Sequence, residues 1–214
     1  MNTHTIILAA GKGTRMNTNL PKVMQPLGGM SLIEHVISTA QEISKKITVV
    51  IGHQKNLLKE HLDEIDPIIE TVNQENQLGT AHAVKTASHL IQDDERVLIL
   101  YGDVPLISNK TIQSLLDSEN NCTLLSMILS DPTGYGRIVS NEENLALKII
   151  EQKDASEDER KIKEVFTGIL LIDGSLLRPA LEEINNQNAA NEYYLTDLVE
   201  ILSAKGVKIN CIQA

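Results

Sequence analysis

The sequence predicts an α/β domain: a mixed, mainly parallel sheet flanked by helices, with a small antiparallel addition in its second half. Three observations carry this. The apolar runs Thr5–Ala9, Ile47–Ile51 and Val97–Tyr101 have the continuous hydrophobicity of strands covered on both faces. Stretches with helical periodicity lie between them, which gives the alternation of a crossover sheet. Past residue 120 the strand-like segments crowd around Asp131-Pro-Thr-Gly-Tyr-Gly136, with the spacing of hairpins.

Taken in order, Thr5–Ala9 reads as a buried first strand that runs straight into small residues and glycines. Ser31 and Glu34 have capping-box spacing, and Ile33, Val36, Ile37 and Ala40 then repeat on one helical face. Ile47–Ile51 is the next strand, ending at Gly52-His53. A polar helix over Gln54–Glu64 and a short strand, Pro67–Val72, follow. Gly79-Thr80 opens a helix with Thr80 as its expected N-cap and Ala83, Val84, Ala87, Leu90 and Ile91 on its apolar face. Val97–Tyr101 ends in Gly102-Asp103. Right-handed crossovers then set the ends of Ala9, Gly52 and Tyr101 along one rim, where α/β sheets bind ligands.

The second half changes character. A helix over Thr111–Asp117 leads to a strand, Thr123–Leu129. Arg137–Ser140, Leu145–Glu151 and Lys163–Ile172 follow as strands, with the charged Lys153–Lys161 as a solvated loop or short helix. Ser175–Ile184 is a helix. Leu195, Leu198, Val199 and Leu202 mark another that stops at Gly206, and Val207–Ile212 is a last strand. No linker, repeat or low-complexity tract interrupts the chain, so one domain over residues 1–214 is expected.

Composition narrows the function. A net charge of −10 argues against a nucleic-acid surface or an anionic membrane patch. One Phe, four Tyr and no Trp leave little to build a base-stacking platform. Cys122 and Cys211 have no metal-ligand spacing and read as free thiols of a reducing compartment. No run approaches the ~20 apolar residues of a membrane span, and Ile6–Ala10 is too short for a signal sequence. A cytoplasmic protein is the expectation.

Against this acidic background, the cations around Leu8-Ala-Ala-Gly11-Lys-Gly13-Thr-Arg15-Met16 and Pro21-Lys22 stand out. Gly11 and Gly13 let the backbone approach a ligand closely, and its N–H groups with Arg15 and Lys22 would cradle an anion. The stretch is neither a Walker A loop nor a dinucleotide fingerprint, because position 16 is Met. Taken alone, it is either a nucleotide phosphate site or a turn that merely reverses the chain. Asp103, at a strand end, suits a hard cation or equally a local cap. His53 and His82 read as satisfied structural histidines.

LAAGKGTRM, LPKV, QLGTAHAV, LYGDVPL, DPTGYGRIV, Glu151-x-Lys-Asp154 and NEYYLTD occur here in that order. Together they resemble the uridyltransferase half of the bifunctional N-acetylglucosamine-1-phosphate uridyltransferase/glucosamine-1-phosphate acetyltransferase family. The resemblance implies a Rossmann-like nucleotidyltransferase domain. Its activity would join UTP and N-acetylglucosamine 1-phosphate into UDP-N-acetylglucosamine and pyrophosphate, supplying envelope and cell-wall polymers. Leu8, Ala9, Ala10, Gly11 and Gly13 would hold the nucleotide by backbone. Gln74, Gln77, Gly79 and Thr80 would complete uracil recognition, an amide pairing at once with a carbonyl and an N–H of the base edge. Tyr101 and Gly102 would contact the nucleotide sugar. Arg15 and Lys22 would act on the phosphates as catalytic cations, and Asp103 would bind Mg²⁺. Gly136, Glu151, Phe166, Tyr194 and Thr196 fall at the sugar end.

Two departures from the family pattern follow. Phe166-Thr167-Gly168 stands where the family has Asn-Thr-Gly, so either sugar bonds worth about 1–3 kcal/mol each are lost or Phe166 packs elsewhere. The sequence ends at Ala214, before the segment that supplies a second metal ligand and before the β-helix acetyltransferase half. Without that half, a monomer or weak oligomer is expected. The partners implied are small molecules, with no nucleic acid and no membrane insertion. A sister enzyme for another sugar 1-phosphate and a catalytically weak sugar-nucleotide-binding module are the alternatives.

Overall fold

The computed structural model describes residues 2–13 and 20–214. Strand β1 (Asn2–Leu8) buries its last five residues and precedes a small hairpin, β2 (Pro26–Leu27) and β3 (Met30–Ser31), too short to leave a sequence signal. Helix α1 (Leu32–Ile43) begins with the expected capping box: the Ser31 hydroxyl accepts from Glu34 N–H, and the Glu34 carboxylate accepts from Ser31 N–H. Its buried face is the predicted one, Ile33, Val36, Ile37 and Ala40. Strand β4 (Lys46–Ile51), helix α2 (Lys55–Ile65), strand β5 (Glu70–Asn73), helix α3 (Thr80–Thr86) and strand β6 (Glu95–Tyr101) complete the crossover half. β5 begins three residues later than expected, because Pro67 has no N–H and those of Ile68 and Ile69 turn back to the Asp66 carboxylate and carbonyl.

The second half contains α4 (Asn109–Leu116), β7 (Cys122–Ile128), β8 (Arg137–Ser140), β9 (Ala146–Ile150) and β10 (Glu164–Asp173). It then continues through α5 (Gly174–Glu183), α6 (Asp197–Ala204) and β11 (Ile209–Gln213). The sheet order is β11-β7-β10-β6-β1-β4-β5. β10 runs antiparallel to both β6 and β7, whereas β11 is parallel to β7. The antiparallel addition therefore sits inside the sheet as one reversed strand, with the β8–β9 hairpin branching from the start of β10.

Side chains of each central strand alternate between two apolar layers. Ile6, Leu8, Val50 and Ile99 face α3, α5 and α6, while Ile7, Val49, Leu98 and Leu100 face α1, α2 and α4. From β1 the chain moves outward to β4 and β5, then returns to place β6 on the other side of β1. That reversal makes a crevice over the carboxyl ends of β1 and β6, the ligand position in sheets of this class. No described helix is long and apolar enough to cross a membrane.

Candidate functional site

The rim of that crevice is built mainly from backbone. Ala9 N–H donates to Val50 O at 2.9 Å and Gly102 N–H to Leu8 O at 3.0 Å, so the end of β1 is clamped between β4 and β6. From Ala10 to Gly13 the backbone N–H groups find no acceptor among the described residues, which leaves an arc of donors suited to an anion. Gly13 has φ +56°, and a Cβ there would lie 2.9 Å from Lys22 Cβ, so only glycine allows the loop to pass over that lysine. Lys22 is held by its neighbour Val23, which is buried in the layer that includes Ala9. The Lys22 ammonium ion-pairs with the Asp103 carboxylate just beyond β6. Expectation had given these two groups to phosphate and metal separately; in space they are partners. Arg15 lies outside the described residues.

Beside the rim, the chain from Gln74 to Thr80 is tied to the segment before α6. Tyr193 N–H donates to Leu78 O at 2.8 Å, Ala81 N–H to Tyr193 O at 2.9 Å, and Leu195 N–H to the Thr80 hydroxyl at 3.0 Å. Gly79, at φ +121°, makes this contact possible, since a Cβ would come within 2.4 Å of Tyr193 O. Thr80 is not the N-cap: Gly79 occupies that position, and the Thr80 hydroxyl accepts from Leu195 N–H. The Gln74 side chain also differs from expectation. Its Nε2 donates to Gly79 O at 3.1 Å and to His82 Nδ1 at 2.9 Å, so it has no N–H left to pair with a base carbonyl. Gln77 Nε2 donates to Gln74 O at 2.9 Å and packs against Gly52, which gives it a bracing part.

The other end is made of side chains. Gly136 lies so close to β9 that a Cβ would meet Ile149 Cγ2 at 2.8 Å and the Glu151 carboxylate at 3.5 Å. Glu151 accepts from the Thr196 hydroxyl at 3.1 Å. Burial, with Asp154 and Glu192 adding their charge, holds its carboxyl above the usual range. The Tyr194 phenol is pushed up to about 12, chiefly by burial and then by Asp154 and Glu151. Asp197 rises to about 6 through burial, then Glu200, Glu151 and Asp154. Glu151, Asp154, Tyr194, Asp197 and Glu200 border a hollow of about 680 Å³ between β9, the end of α5 and α6. The Tyr101 phenol is raised as well, by burial and then by Glu151. Phe166 is only 6% exposed and joins the apolar layer with Ile138, Ile149 and Leu195, while its N–H donates to Gly136 O at 2.9 Å. Of the two expectations for Phe166, packing elsewhere is the one observed.

Arg137 escaped sequence reasoning. It is 1% exposed, donates through Nη1 to Tyr135 O and through Nη2 to Gln152 Oε1 at 2.6 Å, and its Nε has no partner among the described residues. Gln152 also accepts from Gly134 N–H at 3.2 Å, so the pair staples the turn before Gly136. A lone cation ahead of Ile138-Val139 in a predicted strand was the available signal. Among the described residues no three His, Cys, Asp or Glu side chains form a metal cage. Asp103, paired with Lys22, would offer a hard cation one carboxylate, with water and substrate oxygens completing its shell.

A crevice at a topological switch point, edged by a cation and by backbone N–H groups without an acceptor among the described residues, defines an α/β protein of the nucleotide-binding class. Residues 5–189 match the MobA-like NTP transferase domain, and the chain belongs to that family. It is 43% identical over 213 residues to the bifunctional protein GlmU of Marinobacter nauticus, covering 98% of this chain and 46% of the relative. The chain thus spans about half the length of that relative. A UDP-glucose pyrophosphorylase solved with UDP-glucose superimposes with a TM-score of 0.80 at 20% identity, covering 100% of this chain and 90% of that one. A Bacillus anthracis protein provisionally assigned as a glucose-1-phosphate thymidylyltransferase, solved with sucrose, gives 0.76 at 18% identity, covering 99% and 87%. At such identities the likeness concerns the fold.

Proposed function

We propose that residues 1–214 act as one nucleotidyltransferase unit that makes UDP-N-acetylglucosamine and pyrophosphate from UTP and N-acetylglucosamine 1-phosphate. The observation that carries this reading is the convergence on one rim of the free N–H arc, the Lys22–Asp103 pair and Gln74 beside Gly79. The 43% identity to a bifunctional GlmU supports the choice of substrates. A phosphate oxygen of the sugar phosphate attacks the α-phosphorus in line, and the bond from that phosphorus to the departing pyrophosphate breaks. No protein nucleophile is required. Lys22 and Arg15 offset the gathering negative charge, and Lys22 also orients the incoming phosphate. Mg²⁺, held by Asp103, phosphate oxygens and water, would supply further charge neutralisation. The backbone from Leu8 to Gly13, with Gly102, encloses the nucleotide, and Glu151, Thr196, Tyr194 and the Gly136 backbone receive the sugar. The reading carries a cytoplasmic location and a role in cell-wall precursor supply.

Pyrophosphate release over a panel of nucleoside triphosphates and sugar 1-phosphates, with and without Mg²⁺, tests it. The expected result is Mg²⁺-dependent release with UTP and N-acetylglucosamine 1-phosphate above every other pair. Preference for a different sugar would establish the sister-enzyme reading. Binding of UDP-N-acetylglucosamine with no turnover would instead establish a sugar-nucleotide-binding module.

A further inference from the structure

His82 lies behind the rim on α3 and would not be expected to touch a substrate. Its hydrogen bond nevertheless decides what Gln74 can offer. A carbonyl oxygen only accepts, so the Gln74 amide atom 3.1 Å from Gly79 O is the nitrogen. That same nitrogen is 2.9 Å from His82 Nδ1, and an amide nitrogen only donates. His82 Nδ1 is therefore the unprotonated acceptor and Nε2 carries the ring hydrogen. Both Gln74 donors are spent inward, and Oε1 has no protein partner among the described residues. Burial, and after it Lys85, pull the His82 pKa below the ordinary histidine value, which favours the neutral ring. The Tyr193 ring, 6.3 Å away between centroids, flanks it.

We propose that His82 is a positioning residue that sets base selectivity, by locking the Gln74 amide so that only its carbonyl oxygen faces the base. The inference rests on the uridylyl-transfer reading. Uracil presents a ring N3–H, which an outward carbonyl oxygen accepts. Cytosine presents a bare N3, so two acceptors would confront each other and both would go unpaired. With the His82 acceptor removed, only the Gly79 bond opposes rotation of the amide. A rotated amide turns an N–H toward cytosine N3.

The test compares wild type with His82→Leu, which lacks the acceptor, and His82→Asn, whose Oδ1 occupies the place of Nδ1. In His82→Leu the preference for UTP over CTP in kcat/KM should fall about tenfold, the scale of one net hydrogen bond. The change should lie in KM, with kcat for UTP nearly unchanged. His82→Asn should restore most of the preference, which a purely structural histidine would not require. An unchanged preference in His82→Leu overturns the proposal. So does a ¹⁵N spectrum of the nucleotide-free protein with the His82 hydrogen on Nδ1, whatever the activity. Calorimetric titration with UDP and CDP reads the same preference without turnover. A protein that binds UDP selectively but never transfers would sink the uridylyl-transfer reading and leave this one standing; wild type with no preference for UDP over CDP would overturn it.

Discussion

The rim over β1 and β6 and the hollow beyond β9 are opposite designs. At the rim the candidate groups are backbone N–H donors and one half-buried ion pair, Lys22–Asp103, whose side chains are 44% and 26% accessible. In the hollow they are carboxylates: burial and then Asp154 raise Glu151, and burial followed by Glu200, Glu151 and Asp154 raises Asp197. The difference follows from what each end would have to hold. A polyphosphate is matched by fixed dipoles and a cation that remain in place as charge moves. An uncharged sugar offers hydroxyl hydrogens, for which carboxylate oxygens are the natural acceptors. A sugar phosphate entering such a site is oriented by the gradient between them, anion toward the lysine and ring toward the acids.

The largest expected break in that contrast comes from Lys22→Ala. Turnover should fall about 10²–10³-fold, the scale of removing one charge stabiliser from a transition state. Thermal stability should hardly move, because an ion pair this open to water is worth about 0–1 kcal/mol. Steady-state kinetics beside a thermal melt checks both. A large drop in melting temperature would make the pair a structural clasp instead of a phosphate contact.

Phe166→Asn should do the reverse. The ring belongs to an apolar layer and is 6% exposed, so its loss plus a buried amide should cost about 3–5 kcal/mol in a urea titration. An intact urea midpoint with altered sugar selectivity would mean that position 166 faces the ligand, and the hollow would then have an apolar wall.

The crossover half was largely legible because strands covered on both faces read as continuous apolar runs, and the face of α1 is local information. The placement of β10 was not legible. Its neighbours β6 and β7 are chosen by long-range pairing, and hairpin-like spacing alone does not separate an edge addition from an insertion. The site divides in the same way. Glycines and charged residues could be picked out one at a time, yet the partnership of Lys22 with Asp103 spans 81 residues and has no local signature. The inward bonds of Gln74 remove part of the base-pairing capacity its amide has, and the buried setting of Arg137 depends on Gln152, fifteen residues away.

The smallest effect, and the one that probes the hollow most directly, is expected for Asp197→Asn. The folded protein raises this carboxyl from 3.8 to about 6, so between those values it binds more protons than the unfolded chain. The contribution of Asp197 to stability therefore falls as pH rises from about 4 to about 6, and the cost is complete by pH 7. Removing the charge should recover about 1–2 kcal/mol at pH 7, after allowance for partial exposure, and nothing near pH 3.5. Denaturant titrations at those two pH values give the comparison. An equal gain at both would trace the effect to new amide hydrogen bonds instead of relief from a charge buried beside Glu200, Glu151 and Asp154. The same exchange at Asp103 removes an attraction to Lys22, so it should bring no gain at either pH, and that asymmetry is what separates the two ends of the site.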